Sequence, residues 1–147
     1  MKTNLNHQLS DPNSKGVEIL SIGTELLLGN IVNTNARWIS EELSKLGLNH
    51  FRQSTVGDNC DRIIRIIQEI SKRSYLLITT GGLGPTPDDL TNEAIAQSFN
   101  AALFERPYLW SELKQKLSNS KLQDNSSSLR KQCFFPKNAQ IINNPRG

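Results

Sequence analysis

Apolar residues fall into short β-branched runs separated by stretches of three- and four-residue periodicity. Val17–Ile22 (VEILSI) is a compact apolar run ending at Gly23, the pattern of a buried strand. From Thr34 or Asn35 the spacing turns helical: Trp38, Ile39, Leu43 and Leu46 recur three and four apart, with Asn33 or Thr34 as N-cap and Gly47 as terminator. His50–Val56 reads as a second, more polar strand, nearer a sheet edge. Residues 61–72 predict a second helix, with Ile63, Ile64, Ile66, Ile67 and Ile70 on a broad apolar face. Residues 75–80 (YLLITT) are apolar enough to be a central strand of a parallel sheet, and residues 91–99 continue as a helix. Strand and helix alternating at this spacing predict right-handed βαβ units and a three-layer, doubly wound, mainly parallel α/β sheet. Ligands bind such sheets in the loops at the carboxyl ends of strands, which here are residues 23–35 and 81–89.

Beyond residue 100 the pattern weakens. Pro107 suits the first turn of a helix running to about Leu117, and residues 118–128 (SNSKLQDNSSS) read as a polar connection. Residues 129–135 suggest one more short helix and residues 139–142 a short strand. The first sixteen residues are polar, without the apolar core of a secretory signal, and read as a loose tail. At 147 residues the chain has the size of one domain, spanning 17–147, and no run approaches the roughly 18 apolar residues of a membrane span. A cytoplasmic protein without a membrane partner is the expectation. Cys60 and Cys133 form no CxxC pair and have only His7 and His50 beside them, which disfavours a disulfide framework or a zinc site. Residues 17–100 carry seven Lys/Arg against ten Asp/Glu, a net of −3, whereas residues 101–147 carry eight against three, a net of +5. The basic charges are scattered and not interleaved with aromatics, which disfavours nucleic acid, and an anionic small molecule suits them equally well.

Chemistry concentrates in the two loops. In Gly81-Gly82-Leu83-Gly84-Pro85-Thr86-Pro87-Asp88-Asp89, three glycines lie within four positions between a strand and a helix. Such a turn lets backbone N–H groups approach a phosphate at a helix start, and Thr86 adds a hydroxyl. The spacing is neither a Walker A loop nor a dinucleotide fingerprint. Asp88 and Asp89 repel phosphate unless a divalent cation such as magnesium bridges them; the plainer reading is that one of them caps the helix. In the first loop Glu25 is a candidate metal ligand or general base as well as a surface charge, and Asn33 and Asn35 are candidate hydrogen-bond partners for a ligand. Leu26, Leu27 and Leu28 read as core or as a subunit interface, which points to a homo-oligomer.

GTELLLGNIVNTN, TVGD (residues 55–58) and GGLGPTPDDLT closely resemble the N-terminal domain of CinA-type competence/damage-inducible proteins, and RKQ (130–132) and NNPRG (143–147) extend the match. That domain is similar to the molybdopterin-binding (MoaB/Mog-type) fold. There a Gly-Gly-Thr-Gly loop followed by an Asp binds a pterin phosphate or a nucleotide. Gly81, Gly82, Gly84 and Asp89 match, Leu83 replaces the Thr, Asp88 stands where Arg is usual, and Asn33 where many relatives carry Asp. The resemblance implies metal-assisted hydrolysis of ADP-ribose to AMP and ribose 5-phosphate. On this reading the glycine loop and Thr86 hold the phosphates. Asp89 with Asp88 or Glu25 holds the metal, Asp89 and Glu25 serve catalysis, and Arg130 and Lys131 neutralise the second phosphate. In relatives the Asn-Pro-x-Gly segment runs on into further strands and a deamidase domain, so the chain reads as an incomplete domain. Two other expectations stand beside hydrolysis: a non-catalytic molybdopterin- or phosphate-binding module, and an inactive fragment.

Overall fold

The computed structural model describes residues 16–118, 126–142 and 144. Of the expected features, the tail up to residue 15, residues 119–125 of the polar connection and most of the NNPRG segment lie outside them.

Strand β1 (Val17–Ile22) is buried along its whole length because both of its faces are covered. Its neighbours are β2 (His50–Val56) and β3 (Leu76–Thr80), both parallel to it, in the order β2-β1-β3. Side chains alternate across a strand, so Leu20 and Ile22 pack with Ile63, Ile67 and Ile70 of helix α3 (Cys60–Arg73) and Ala94 of α4 (Thr91–Ser98). Val17 and Ile19 face the other way, onto Ala36 and Leu43 of α2 (Thr34–Lys45). The result is the expected three layers, with α2 on one side of a parallel sheet and α3 and α4 on the other.

The caps follow from sequence. The Asn33 carboxamide oxygen accepts from the Ala36 N–H at 3.1 Å, Asn59 does the same for Arg62 at 3.1 Å, and Gly47 takes the left-handed conformation that ends α2. One buried charge also belongs to the frame. Glu18, on β1, accepts from Arg73 Nη2 at 2.6 Å, Arg73 Nε at 3.0 Å and Ser74 Oγ at 2.8 Å. Burial alone raises its pKa, but these bonds and the Arg73 charge outweigh it and hold the carboxyl below its ordinary range.

Five expectations change. Among the described residues β3 pairs only with β1, so β1, not β3, is the central strand; apolar content marks burial but not position in a sheet. The first loop contains a single helical turn, α1 (Thr24–Leu27). The sequence signal also missed β4 (Leu103–Glu105), which precedes α5 (Pro107–Ser118). In place of a helix over 129–135 the chain forms α6 (Ser126–Arg130), a 3-10 turn (Lys131–Cys133) and β5 (Phe134–Pro136), the last antiparallel to β4. Phe135 precedes a proline, whose ring disfavours helical backbone at the residue before it. Residues 139–142 form no strand; the Ala139 N–H closes a turn onto the Pro136 carbonyl at 2.9 Å.

Candidate functional site

At the carboxyl end of β3 the chain turns through Gly81 and Gly82, with φ of 91° and 61°. A Cβ at residue 81 would lie 2.0 Å from the Ile22 carbonyl oxygen, and one at residue 82 would lie 2.4 Å from Thr91 Oγ1. Packing of the turn therefore demands both glycines before any ligand is considered. Thr91, at the start of α4, donates its hydroxyl to the Gly81 carbonyl at 2.8 Å and its N–H to the Gly82 carbonyl at 3.1 Å. The carbonyls of the turn are thus held from behind. Among the described residues the N–H groups of Gly82 and Leu83 donate no hydrogen bond.

The rest of the loop closes around Asp89. Its Oδ2 accepts from the Thr86 N–H at 2.8 Å and the Thr86 hydroxyl at 2.6 Å. Gly84 has no side chain to obstruct this, since a Cβ there would sit 2.6 Å from Asp89 Oδ2. Burial pushes the Asp89 pKa up, but the Thr86 and Gly84 hydrogen bonds and the Lys131 charge prevail and lower it. The segment at 131–134 straps the loop from outside. Lys131 Nζ donates to the Thr86 carbonyl at 3.2 Å and to the Asp89 carbonyl, and pairs with Glu93 at 3.2 Å. Gln132 Nε2 donates to the Leu83 carbonyl at 3.1 Å, and Asn92 Nδ2 to the Phe134 carbonyl at 3.1 Å. Arg130 points elsewhere: its guanidinium is bound to both Glu105 carboxylate oxygens, at 2.7 and 2.9 Å.

The first loop reaches the end of β3, just before the glycine turn, through Asn35, whose Nδ2 donates to Thr80 Oγ1 at 3.1 Å. Asn33 is occupied at both ends of its amide, capping α2 and donating to Ser21 Oγ at 2.8 Å. Glu25 is exposed, folds back over Gly23 and makes no side-chain hydrogen bond among the described residues. Thr24 and Asp58 cap each other, N–H to carboxylate at 2.8 Å and N–H to hydroxyl at 3.1 Å, which gives the TVGD motif a structural task. The structure thus gathers the glycines, Thr86, Asp89 and Lys131, sets Asn35 beside them, and keeps Arg130 and Asn33 on other partners. Sequence reasoning missed Glu93 and Gln132. The RKQ triplet was the available signal for Gln132; Glu93 carried none beyond its place in the first turn of a helix.

No three His, Cys, Asp or Glu side chains among the described residues are grouped to hold a metal ion. Asp89 is engaged by Thr86 and Asp88 is exposed, so this donor set does not build a resident metal centre. A cleft of about 10 Å³, room for a water, lies between the loop and Lys131. A groove of about 370 Å³ adjoins it, with Leu83 and Gln132 lining both. No helix among the described residues is long and apolar enough to cross a membrane.

Comparison with known proteins agrees with this geometry. Residues 18–144 match the family described as a probable molybdopterin binding domain. A CinA-like protein of Prochlorococcus marinus (strain MIT 9301) is 87% identical over 136 residues, which are 92% of this chain and 32% of that protein. A second, from strain CCMP1986 / NIES-2087 / MED4, is 77% identical over all 147 residues, 34% of its length. The chain thus spans about a third of the length of the curated relatives it matches. The crystal structure of CinA from Thermoplasma acidophilum superposes with a TM-score of 0.80 at 31% identity, covering 90% of this chain and 77% of that one. The molybdopterin biosynthesis enzyme MoaB from Thermus thermophilus shares the fold, with a TM-score of 0.53 at 23% identity, covering 78% of this chain and 70% of that one. The motifs, the parallel sheet with its glycine turn and these likenesses together make the chain a member of the CinA family, built on a molybdopterin-binding-like domain.

Proposed function

We propose that the domain binds a phosphorylated, nucleotide-like ligand with a phosphate on the turn at 81–84. The ligand is ADP-ribose, which water cleaves between its two phosphates to give AMP and ribose 5-phosphate. The observation that carries the binding is the pair of N–H groups at Gly82 and Leu83, which have no partner among the described residues at the carboxyl end of a parallel strand. Lys131 adds positive charge at the same cleft, partly offset by Glu93. Water forms the new bond to one phosphorus, the phosphoanhydride P–O bond breaks, and a carboxylate takes the water's proton. Glu25 is the carboxylate assigned to that task, because it makes no side-chain hydrogen bond among the described residues whereas Asp89 is already bonded to Thr86. A divalent cation enters as part of the substrate, carried by its phosphates, as magnesium commonly is. A second copy of the chain is the proposed partner of the exposed apolar side chains in the first loop.

Retention of the ligand without hydrolysis is the second reading, favoured by the full engagement of Asp89 within its own loop. Calorimetry with ADP-ribose and magnesium, followed by chromatography of the mixture, separates the two. Binding with release of AMP is the expected result, and Glu25→Gln should slow release at least about tenfold while leaving binding intact. Binding without AMP leaves only the second reading, and absence of binding sinks both.

A further inference from the structure

The strap over the glycine turn is fastened on both sides of Lys131 and Gln132, and the two fastenings differ in kind. Downstream, the backbone does most of the holding. Phe134 stands opposite Glu105 in the β4–β5 ladder, the Arg106 N–H donates to the Cys133 carbonyl at 2.9 Å, and Cys133 is buried. Upstream, the fastening is a side-chain pair. Arg130, the last residue of α6, donates to Glu105, the last residue of β4, from Nε at 2.7 Å and Nη2 at 2.9 Å, one bond to each carboxylate oxygen. Two parallel bonds fix direction as well as distance, which one contact between long side chains does not. Glu105 therefore meets the strap at both ends, through Phe134 and through Arg130. Between those points lie the two side chains that reach the carbonyls of Leu83, Thr86 and Asp89.

We infer that Glu105 is a positioning residue for the anion site, acting through Arg130. The pair sets where Lys131 and Gln132 stand, and these in turn hold the glycine loop with its Gly82 and Leu83 N–H groups facing outward. This role rests on the phosphate binding proposed at the glycine turn and places control of that site on residues outside it. Lys131 and Gln132 line the cleft beside the turn, whereas Glu105 and Arg130 do not. Two roles for Arg130 now predict opposite signs. If Arg130 served the phosphate directly, Glu105 would compete for it, and Glu105→Gln would free the guanidinium and tighten anion binding. If Arg130 places the strap, it needs Glu105, and the same change loosens the strap and weakens binding.

Calorimetry with ADP-ribose and magnesium on the 147-residue chain tests this. Glu105→Gln and Arg130→Gln should each weaken binding roughly three- to fivefold, since the loss cannot exceed what an exposed ion pair holds. The double variant should bind no more weakly than either single one, because both substitutions remove the same clamp. Hydrogen exchange in the ligand-free chain gives a second readout. The amides of Thr86 and Asp89, both bonded within the loop, should exchange faster in each variant, while those of α3 keep the parent's rates. A general loss of stability would speed both sets. Tighter binding by Glu105→Gln, or losses that add in the double variant, overturns the inference and returns Arg130 to the ligand. Unchanged binding by Glu105→Gln overturns it as well, and so does weaker binding without faster exchange at Thr86 and Asp89. In each of these cases the parent still binds and the phosphate site stands. If the parent chain binds no ADP-ribose, the phosphate site fails and the inference with it.

Discussion

Two loops leave the carboxyl ends of the adjacent strands β1 and β3, and they are held in opposite ways. The loop after β3 is fastened through its backbone carbonyls. Thr91 holds those of Gly81 and Gly82, Gln132 that of Leu83, and Lys131 those of Thr86 and Asp89. The loop after β1 is fastened mainly at its ends, by Thr24 with Asp58 and by Asn33 with Ser21, and its middle exposes Leu27, Leu28, Ile31 and Val32. A turn whose carbonyls are satisfied from behind can present its N–H groups forward without rearranging when an anion arrives, which is preorganisation. A loop that leaves apolar side chains in water offers area for burial against another surface. The first arrangement suits a small charged ligand, the second a macromolecular face.

The sharpest way to break this contrast is to disturb the turn itself. Gly81→Val places a Cβ against the Ile22 carbonyl on the central strand and forces a side chain onto a backbone with φ of 91°. Neither the β1 backbone nor the turn can yield without opening the sheet. A loss of about 4 kcal/mol or more is expected, a large share of the stability of a domain this size. Urea denaturation followed by far-UV circular dichroism would show it. A midpoint close to the parent's would mean that the turn is far more adaptable than its packing implies.

How much of this was legible in the sequence depends on the range of the interaction. Val17–Ile22, the Asn33 cap, the isoleucine face of α3 and the Gly81-Gly82 turn depend on local periodicity and on backbone preference, and they stand where the sequence put them. Interactions between distant segments were not legible. Arg130 and Lys131 are neighbours in a basic pair, yet the chain passes from helix to 3-10 turn between them, so one pairs with Glu105 and the other straps the glycine loop. Asp88 and Asp89 diverge likewise: one is exposed, and the other folds back onto Thr86. Among the described residues β3 lies at the sheet edge, a position that depends on which strands lie beside it and that its own apolar residues do not encode.

A milder perturbation sharpens the contrast by acting on charge alone. Asp89→Asn keeps the shape of the loop but weakens two Thr86 bonds and the attraction to Lys131, which should cost about 1 kcal/mol at neutral pH. The carboxyl of Asp89 is lowered in the folded chain relative to an unfolded value of about 3.9. Its contribution is therefore fully present above that value and is lost as pH falls through the folded pKa. The gap between parent and variant should accordingly narrow from pH 7 to pH 3. The buried Glu18 carboxyl, also lowered, follows the same trend in both chains and cancels from the difference. Urea midpoints at the two pH values test this, and a gap that stays constant would mean that the Asp89 charge does not fasten the loop.

The smallest effect on stability should come from the other loop, and there the readout changes. Leu28 is 69% exposed and Val32 82% exposed, so replacing each with Ser removes little buried surface. The cost should stay within about 0.5 kcal/mol per site, the ordinary range for surface substitutions. If a second copy of the chain covers this loop, the paired substitution should still shift sedimentation velocity toward the monomer at concentrations where the parent associates. The same residues would then matter to assembly and hardly at all to the fold, the reverse of Gly81. A parent that sediments as a monomer throughout removes the second copy as the partner. Equal association of parent and variant, on the other hand, moves the contact to another face and leaves the apolar side chains of this loop without a task.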